Sequence, residues 1–168
     1  MQQRVDLAIS SFEAYSNGQV VAWNSGPASR VELWGASIRL LIDNPIVGVD
    51  PSRLHAELGK MHERGLLSAQ ALAESEAEMH SEIPARMAKY GGLGLLSALL
   101  VSLVPFWIFS QSLNSSDCIA RGAARMGGVL VLGFFIFGLT VEVFNIKMVV
   151  AFYALSLALL YALLPSRN

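Results

Sequence analysis

The sequence contains one cysteine, Cys118. A lone thiol forms no internal disulfide and builds no thiolate metal cluster. Its setting, Ser-Ser-Asp-Cys, carries no nucleophile signal. Basic excess is also missing: 12 Lys and Arg against 13 Asp and Glu leave a formal net charge of −1, so there is no electrostatic footprint for nucleic acid. The first ten residues, MQQRVDLAIS, lack the apolar core of a signal peptide. Metal-ligand spacing is absent as well. His55 and His62 are seven residues apart on one helical face, not the i, i+4 pair that a metal favours, and read as a solvated face. No metal and no cofactor is expected.

Charge itself is scarce. Only 15% of residues are Asp, Glu, Lys or Arg, against about 25% in an ordinary soluble domain. The shortfall is concentrated: residues 91–116 carry none, residues 126–141 carry none, and residues 148–166 carry none, with Glu142 and Lys147 between the last two. Each tract approaches the roughly 20 apolar residues that cross a bilayer as a helix. The sequence therefore predicts an all-α integral membrane protein: about three transmembrane helices preceded by a mostly helical periplasmic segment. Residues 1–90 form the polar segment and residues 91–168 the bundle, with spans near 91–111, 126–145 and 148–165. Arg121 and Arg125, in the expected loop 111–125, and Arg167 in the tail place those parts in the cytoplasm by the positive-inside rule. The N-terminal segment and the turn near Asn145 then face the periplasm of a Gram-negative cell. Placing a segment without a signal peptide there calls for spans upstream of it, as in a longer protein.

Punctuation within the polar segment predicts three helices and the start of a fourth. RVELWGASIRLLID puts Trp34, Ile38, Leu41 and Ile42 on one face, an amphipathic helix suited to a bilayer surface, with Trp34 an interfacial anchor or a packing residue rather than a sugar platform. Asn44-Pro45 ends it, because the residue before proline avoids the α region. Asp50 caps the next helix, Pro51 suits its first position, and Gly65 closes it. Ser68 caps a third. Ser81 can cap a fourth helix beginning near Glu82, with Pro84 in its first turn, running into the first span. His80 stands just before that start, where the helix dipole disfavours an imidazolium. A general base must be neutral to accept a proton. Within the spans, Pro105 predicts a kink, Gly91, Gly92 and Gly94 predict close helix approach, and Glu142 is expected to reach water near the periplasmic end. Few large apolar side chains lie outside the amphipathic faces, so the polar segment is expected to pack against the membrane or further helices.

Three motifs then fall in order. HSEIPARMAKYGGLG fits His, then Asn, Ser or Gln, nine residues, and Gly-x-x-Gly, here His80, Ser81, Gly91 and Gly94. Upstream, SRVELWGASIRLLIDNPIVGVD fits Ser-Arg-x-x-x-Trp followed by Asn-Pro-x-x-Gly, and FGLTVEVF follows later. From about residue 25 to 164 the chain resembles the C-terminal part of the bacterial O-antigen ligase family, within the wider superfamily of O-antigen ligases and polymerases. The resemblance implies a large periplasmic loop and the last few of roughly ten to twelve spans in a metal-independent, inverting glycosyltransferase. Such an enzyme transfers a glycan from undecaprenyl pyrophosphate to a hydroxyl of the lipid A–core oligosaccharide. It implies His80 as the catalytic base on the acceptor hydroxyl. Arginines bind the leaving pyrophosphate, since a planar guanidinium pairs with phosphate oxygens. Arg30, at the Ser-Arg position, fits best; Arg53 is a second candidate, and Arg86 a weaker one. The implied partners are the undecaprenyl-pyrophosphate-linked glycan, the lipid A–core acceptor, the bilayer, and further N-terminal transmembrane helices packing against these. The implied location is the inner membrane, multi-pass. Two other readings remain open at this point: an O-antigen polymerase, or a truncated, non-enzymatic membrane remnant.

Overall fold

The computed structural model describes residues 26–77 and 79–165; the MQQRVDLAIS stretch and Arg167 lie outside them. Among the described residues the chain is all-helical. Its elements are α1 (Gly26–Asp43), α2 (Pro51–Glu63), α3 (Ala69–Ala77), α4 (Glu82–Ser110), α5 (Cys118–Gly138), a 3₁₀ turn (Val143–Asn145) and α6 (Lys147–Ala162). They fall into two compact units, one up to Leu95 and one from Leu96.

The helix starts in the first unit are written locally. Asp50 accepts from the Ser52 backbone N–H at 2.8 Å, and Pro51 occupies the first helical position of α2. Gly65, at φ +70°, ends that helix by donating to the His62 carbonyl oxygen at 2.8 Å. The Ser68 hydroxyl accepts from Ala71 N at 3.1 Å and so caps α3. α1 stops at Asp43, ahead of Pro45. α1 and α2 both pack on α3.

α1 carries two apolar faces: the expected Trp34 stripe and a second one, which packs. Leu33, Ala36 and Leu40 turn inward, joining Leu54, Leu58, Met61 and Leu67 in one core cluster. Trp34, Ile38 and Ile42 stay exposed. Burying a leucine such as Leu33 or Leu58 contributes about 2 kcal/mol. The segment therefore has a core of its own, denser than its few large side chains outside the amphipathic faces led one to expect.

The Asn44–Gly48 loop and the glycines of α4 interlock. α4 breaks at Gly91, whose backbone sits at φ +60°, ψ −143°. The break frees amides that would otherwise bond within the helix. Gly92 N donates to the Pro45 carbonyl oxygen at 2.8 Å and Leu93 N to that of Ile46 at 3.2 Å, while Val49 N donates back to the Ala88 carbonyl oxygen at 2.9 Å. A Cβ on Gly91 would lie 2.5 Å from Gly48 N, and one on Gly48 2.3 Å from Gly91 N. These glycines thus admit a loop backbone, where close approach of helices was expected.

In the second unit, α4 and α5 are long and apolar enough to cross a membrane, and α6 is a shorter apolar helix. α5 begins at Cys118, earlier than the expected 126, because Asp117 caps it by accepting from Ile119 N at 3.0 Å and the small residues that follow pack. Arg121 and Arg125 therefore ride on the first turns of the helix, with Arg121 Nη1 donating to the Ser115 carbonyl oxygen at 2.6 Å. α5 ends at Gly138, short of 145, where the Thr140 hydroxyl bonds the Phe137 carbonyl oxygen at 3.1 Å. Ala120, Ala123, Ala124 and Gly127 form its buried face. A Cβ on Gly127 would lie 2.5 Å from the ring of the buried Phe109, so the missing side chain makes room for the aromatic. Phe134, Phe144 and Tyr153 cluster, with the Phe134 and Tyr153 ring centroids 4.6 Å apart. Glu142 is buried, at 4% exposure, where a solvent-reaching carboxylate was expected. No buried side-chain polar atom among the described residues lacks a hydrogen-bond partner.

Candidate functional site

His80 occupies a turn between α3 and α4 and takes φ +54°, the one positive φ on a non-glycine residue among those described. That region is uncommon for side-chain-bearing residues, although His tolerates it better than most. Its cost is of order 1–3 kcal/mol. The adjacent start of α4 fixes the turn: Met79 and Ser81 on either side are each 1% exposed, and Ala85 N donates to the Ser81 carbonyl oxygen at 3.2 Å. The chain is pinned before and after His80, and its own side chain stays 24% exposed.

The pinned ring faces a carboxylate. His80 Nε2 lies 3.7 Å from Glu74 Oε2. The same oxygen accepts a hydrogen bond from the Ser29 hydroxyl, while Oε1 accepts from Gln70 Nε2 at 3.0 Å. Glu74 is thus held on three sides, by side chains from α1, from its own helix and from the turn. A second carboxylate repeats the link between α1 and the start of α3: the buried Glu32 accepts from Ser68 N at 2.8 Å through Oε2. Together these fix the register of α1 against α3. A carboxylate facing one ring nitrogen orients an imidazole and selects its tautomer.

The structure gathers some of the expected site residues and separates others. Ser29 and His80 meet through Glu74, and Arg30 follows Ser29 on α1, half-buried. Arg53 stands in the first turn of α2, its side chain 74% exposed and 3.9 Å from Glu57. It lines an open cleft of about 370 Å³ in which Arg53, Lys60 and Arg64 are matched by Asp43, Asp50 and Glu57, and which neither Arg30, Glu74 nor His80 lines. Lys60 donates to Glu57 at 2.8 Å and holds its carboxyl below the usual range. Arg86 is engaged by Glu82 through Nε at 2.6 Å. His55 pairs with Glu76 at 3.4 Å in an exposed position, and His62 Nδ1–H donates to the Leu67 carbonyl oxygen at 2.7 Å.

Glu74 is the residue that the sequence did not single out. It lies in AESEAEM, a run with three glutamates, and no spacing to His80 distinguishes one from another. Only the rotation of α3 against α1 selects it. No protein-family model matches the chain, and no curated protein matches it.

Proposed function

We propose that the chain is an O-antigen-ligase-like glycosyltransferase part, embedded in a bacterial inner membrane with its first unit on the periplasmic side. The observation that carries the reading is the shared carboxylate: Ser29 and His80, from two motifs far apart in sequence, meet on Glu74. The interlock of Asn44-Pro45-x-x-Gly48 with Gly91 supports it too, since it gives a backbone reason for two motifs that otherwise share only their order.

The membrane part rests on exposure. A core helix of a soluble protein is mostly buried, whereas the apolar windows of α4 and α5 are only 22% and 28% buried. α6, at 16 residues, is about 24 Å long, and Leu163 and Leu164 extend its apolar length to form the third span.

In the proposed reaction the acceptor hydroxyl attacks the anomeric carbon of the lipid-linked glycan. The carbon–oxygen bond to the pyrophosphate breaks and the anomeric configuration inverts. His80 takes the hydroxyl proton, and Glu74 orients the ring and steadies the imidazolium that forms. The departing pyrophosphate leaves with the bonding electrons as an anion, and Arg30, next to Ser29 in the Ser-Arg motif, is the cation proposed to receive it. Arg53, matched by acids in its own cleft, is the second candidate.

The test is transfer in proteoliposomes that hold the chain, an undecaprenyl-pyrophosphate-linked glycan and a lipid A–core acceptor. The expected result is glycosylated lipid A–core in the presence of EDTA, lost in His80→Ala. Glycan extension on the lipid carrier alone would assign a polymerase.

A further inference from the structure

Among the described residues of the first unit, no protein covers the exposed face of α1, and three observations indicate what does. Trp34 is 40% exposed, Ile38 51% and Ile42 71%, in register on the side away from Leu33, Ala36 and Leu40. The sector between them carries no charge, and Arg30 and Arg39 stand at its two margins, one on each side, as the 3.6-residue turn places them. An apolar stripe bordered by long cationic side chains is the pattern of a helix lying in a bilayer interface, where arginine stems cover the apolar edge and the guanidinium reaches phosphate.

The second observation fixes the level. The stripe runs on into the loop, where Ile46 and Val47 are 68% and 67% exposed. That loop is hydrogen-bonded to Gly92 and Leu93, which open the uncharged run 91–116. Residues bonded to the first turn of a membrane-entering run sit at the depth where it enters. The third observation is the aromatic content: Tyr90, beside that kink, is 44% exposed, and Trp34 and Tyr90 are the residue types that concentrate at the membrane–water boundary.

We propose that α1 and the Pro45–Gly48 loop form a monotopic lipid-contact surface. Trp34, Ile38 and Ile42 turn toward the acyl chains, Ile46 and Val47 insert at the tip, and Arg30 and Arg39 lie among the lipid phosphates. This rests on the membrane part of the proposed function and not on glycan transfer. The surface holds the unit with the Ser29–Glu74–His80 cluster against the bilayer, where a lipid-linked substrate diffuses.

Single-tryptophan forms of the full chain in phosphatidylcholine vesicles test it. Trp23→Phe with Trp107→Phe leaves Trp34, and Trp23→Phe with Trp34→Phe leaves Trp107 in α4 as the reference for a span. Brominated phosphatidylcholines and aqueous iodide are the two probes. The expected Trp34 emission is blue-shifted, lost more to bromines near the headgroup than to deep ones, and little affected by iodide, as for a face buried about 5–10 Å into the boundary. Iodide quenching without bromolipid quenching would overturn the proposal by putting the face in water. Shielding from both probes would overturn it by putting protein over the face. In either case, bromolipid quenching of Trp107 would leave the membrane reading standing, while its absence would remove both.

Discussion

The Tyr153 hydroxyl donates to the Val101 carbonyl oxygen at 2.8 Å. Val101 stands four residues before Pro105 in α4. Proline has no N–H, so that oxygen has lost its helical donor. In an apolar surrounding an unmet carbonyl is costly, and α6 supplies the missing donor from a side chain. The proline inside α4 and the tyrosine therefore act as a pair.

That pairing predicts a coupling. Tyr153→Phe should destabilise the chain in mixed detergent–SDS unfolding by about 1 kcal/mol, the scale of interhelical bonds in membranes. In a Pro105→Ala background the backbone amide at 105 returns to Val101, and the same change should cost much less. Equal costs in the two backgrounds would show that the hydroxyl does not serve that carbonyl.

Gly91→Ala should be severely damaging. Its φ +60°, ψ −143° backbone belongs to a region that only glycine enters readily, a strain of about 1–3 kcal/mol for alanine, and the added methyl would meet Gly48 N at 2.5 Å. Gly59→Ala is the control. Gly59 is in the body of α2 with nothing within 4 Å of an added Cβ, so alanine should stabilise by about 0.5–1 kcal/mol. Thermal melts followed by circular dichroism would separate the two in sign.

Glu74 can be divided into its structural and chemical parts. Glu74→Ala leaves the Ser29 hydroxyl and Gln70 amide without their acceptor and should cost about 1–3 kcal/mol. Glu74→Gln keeps an acceptor oxygen for Ser29 but loses the one facing Gln70 and should melt between Glu74→Ala and the wild type, while transfer falls and its pH profile changes because the ring at His80 has lost its charged partner. Wild-type transfer and pH profile in Glu74→Gln would exclude a positioning role.

Acid should weaken α2. The Ser52 hydroxyl first, and the Ser52 backbone N–H second, hold the Asp50 carboxyl below the ordinary aspartate range, with Arg53 adding a smaller pull. A carboxyl depressed in the folded state adds stability that is complete above its unfolded value and is lost as pH falls through the folded one. Melting temperature should therefore decline between about pH 5 and about pH 2, and less steeply in Asp50→Asn. Equal slopes would show that this cap does not contribute.

Local signals in the sequence were enough for the helix starts of the first unit. Asp50-Pro51, Ser68 and Ser81 with Pro84 each act within a turn of their own position, and each helix begins where they place it. The same was true of the proline stop after α1. Less was legible where two distant segments choose each other. Both faces of α1 are apolar, so periodicity alone did not tell Leu33 from Trp34 as the packed side. The small residues at 120, 123 and 124 read as a loop until their burial drew the start of α5 back to Cys118. Gly91 read as a helix-contact glycine because nothing near it names the loop at Gly48. For the candidate site, His80 and Arg30 were visible through their motifs. Glu74 was not, because selecting one glutamate among three requires the rotation of α3.

His80 is proposed as the base of a glycan transfer. Its most direct test is complementation of a bacterial strain lacking its O-antigen ligase, scored by O-antigen on lipopolysaccharide, with membrane insertion of each variant verified. The native chain should restore the polymer-bearing lipopolysaccharide, Glu74→Gln should restore less, and His80→Ala should restore none. Restoration by His80→Ala equal to the native chain would contradict that role, whereas none from a well-inserted native chain would show that the chain alone is not a complete enzyme.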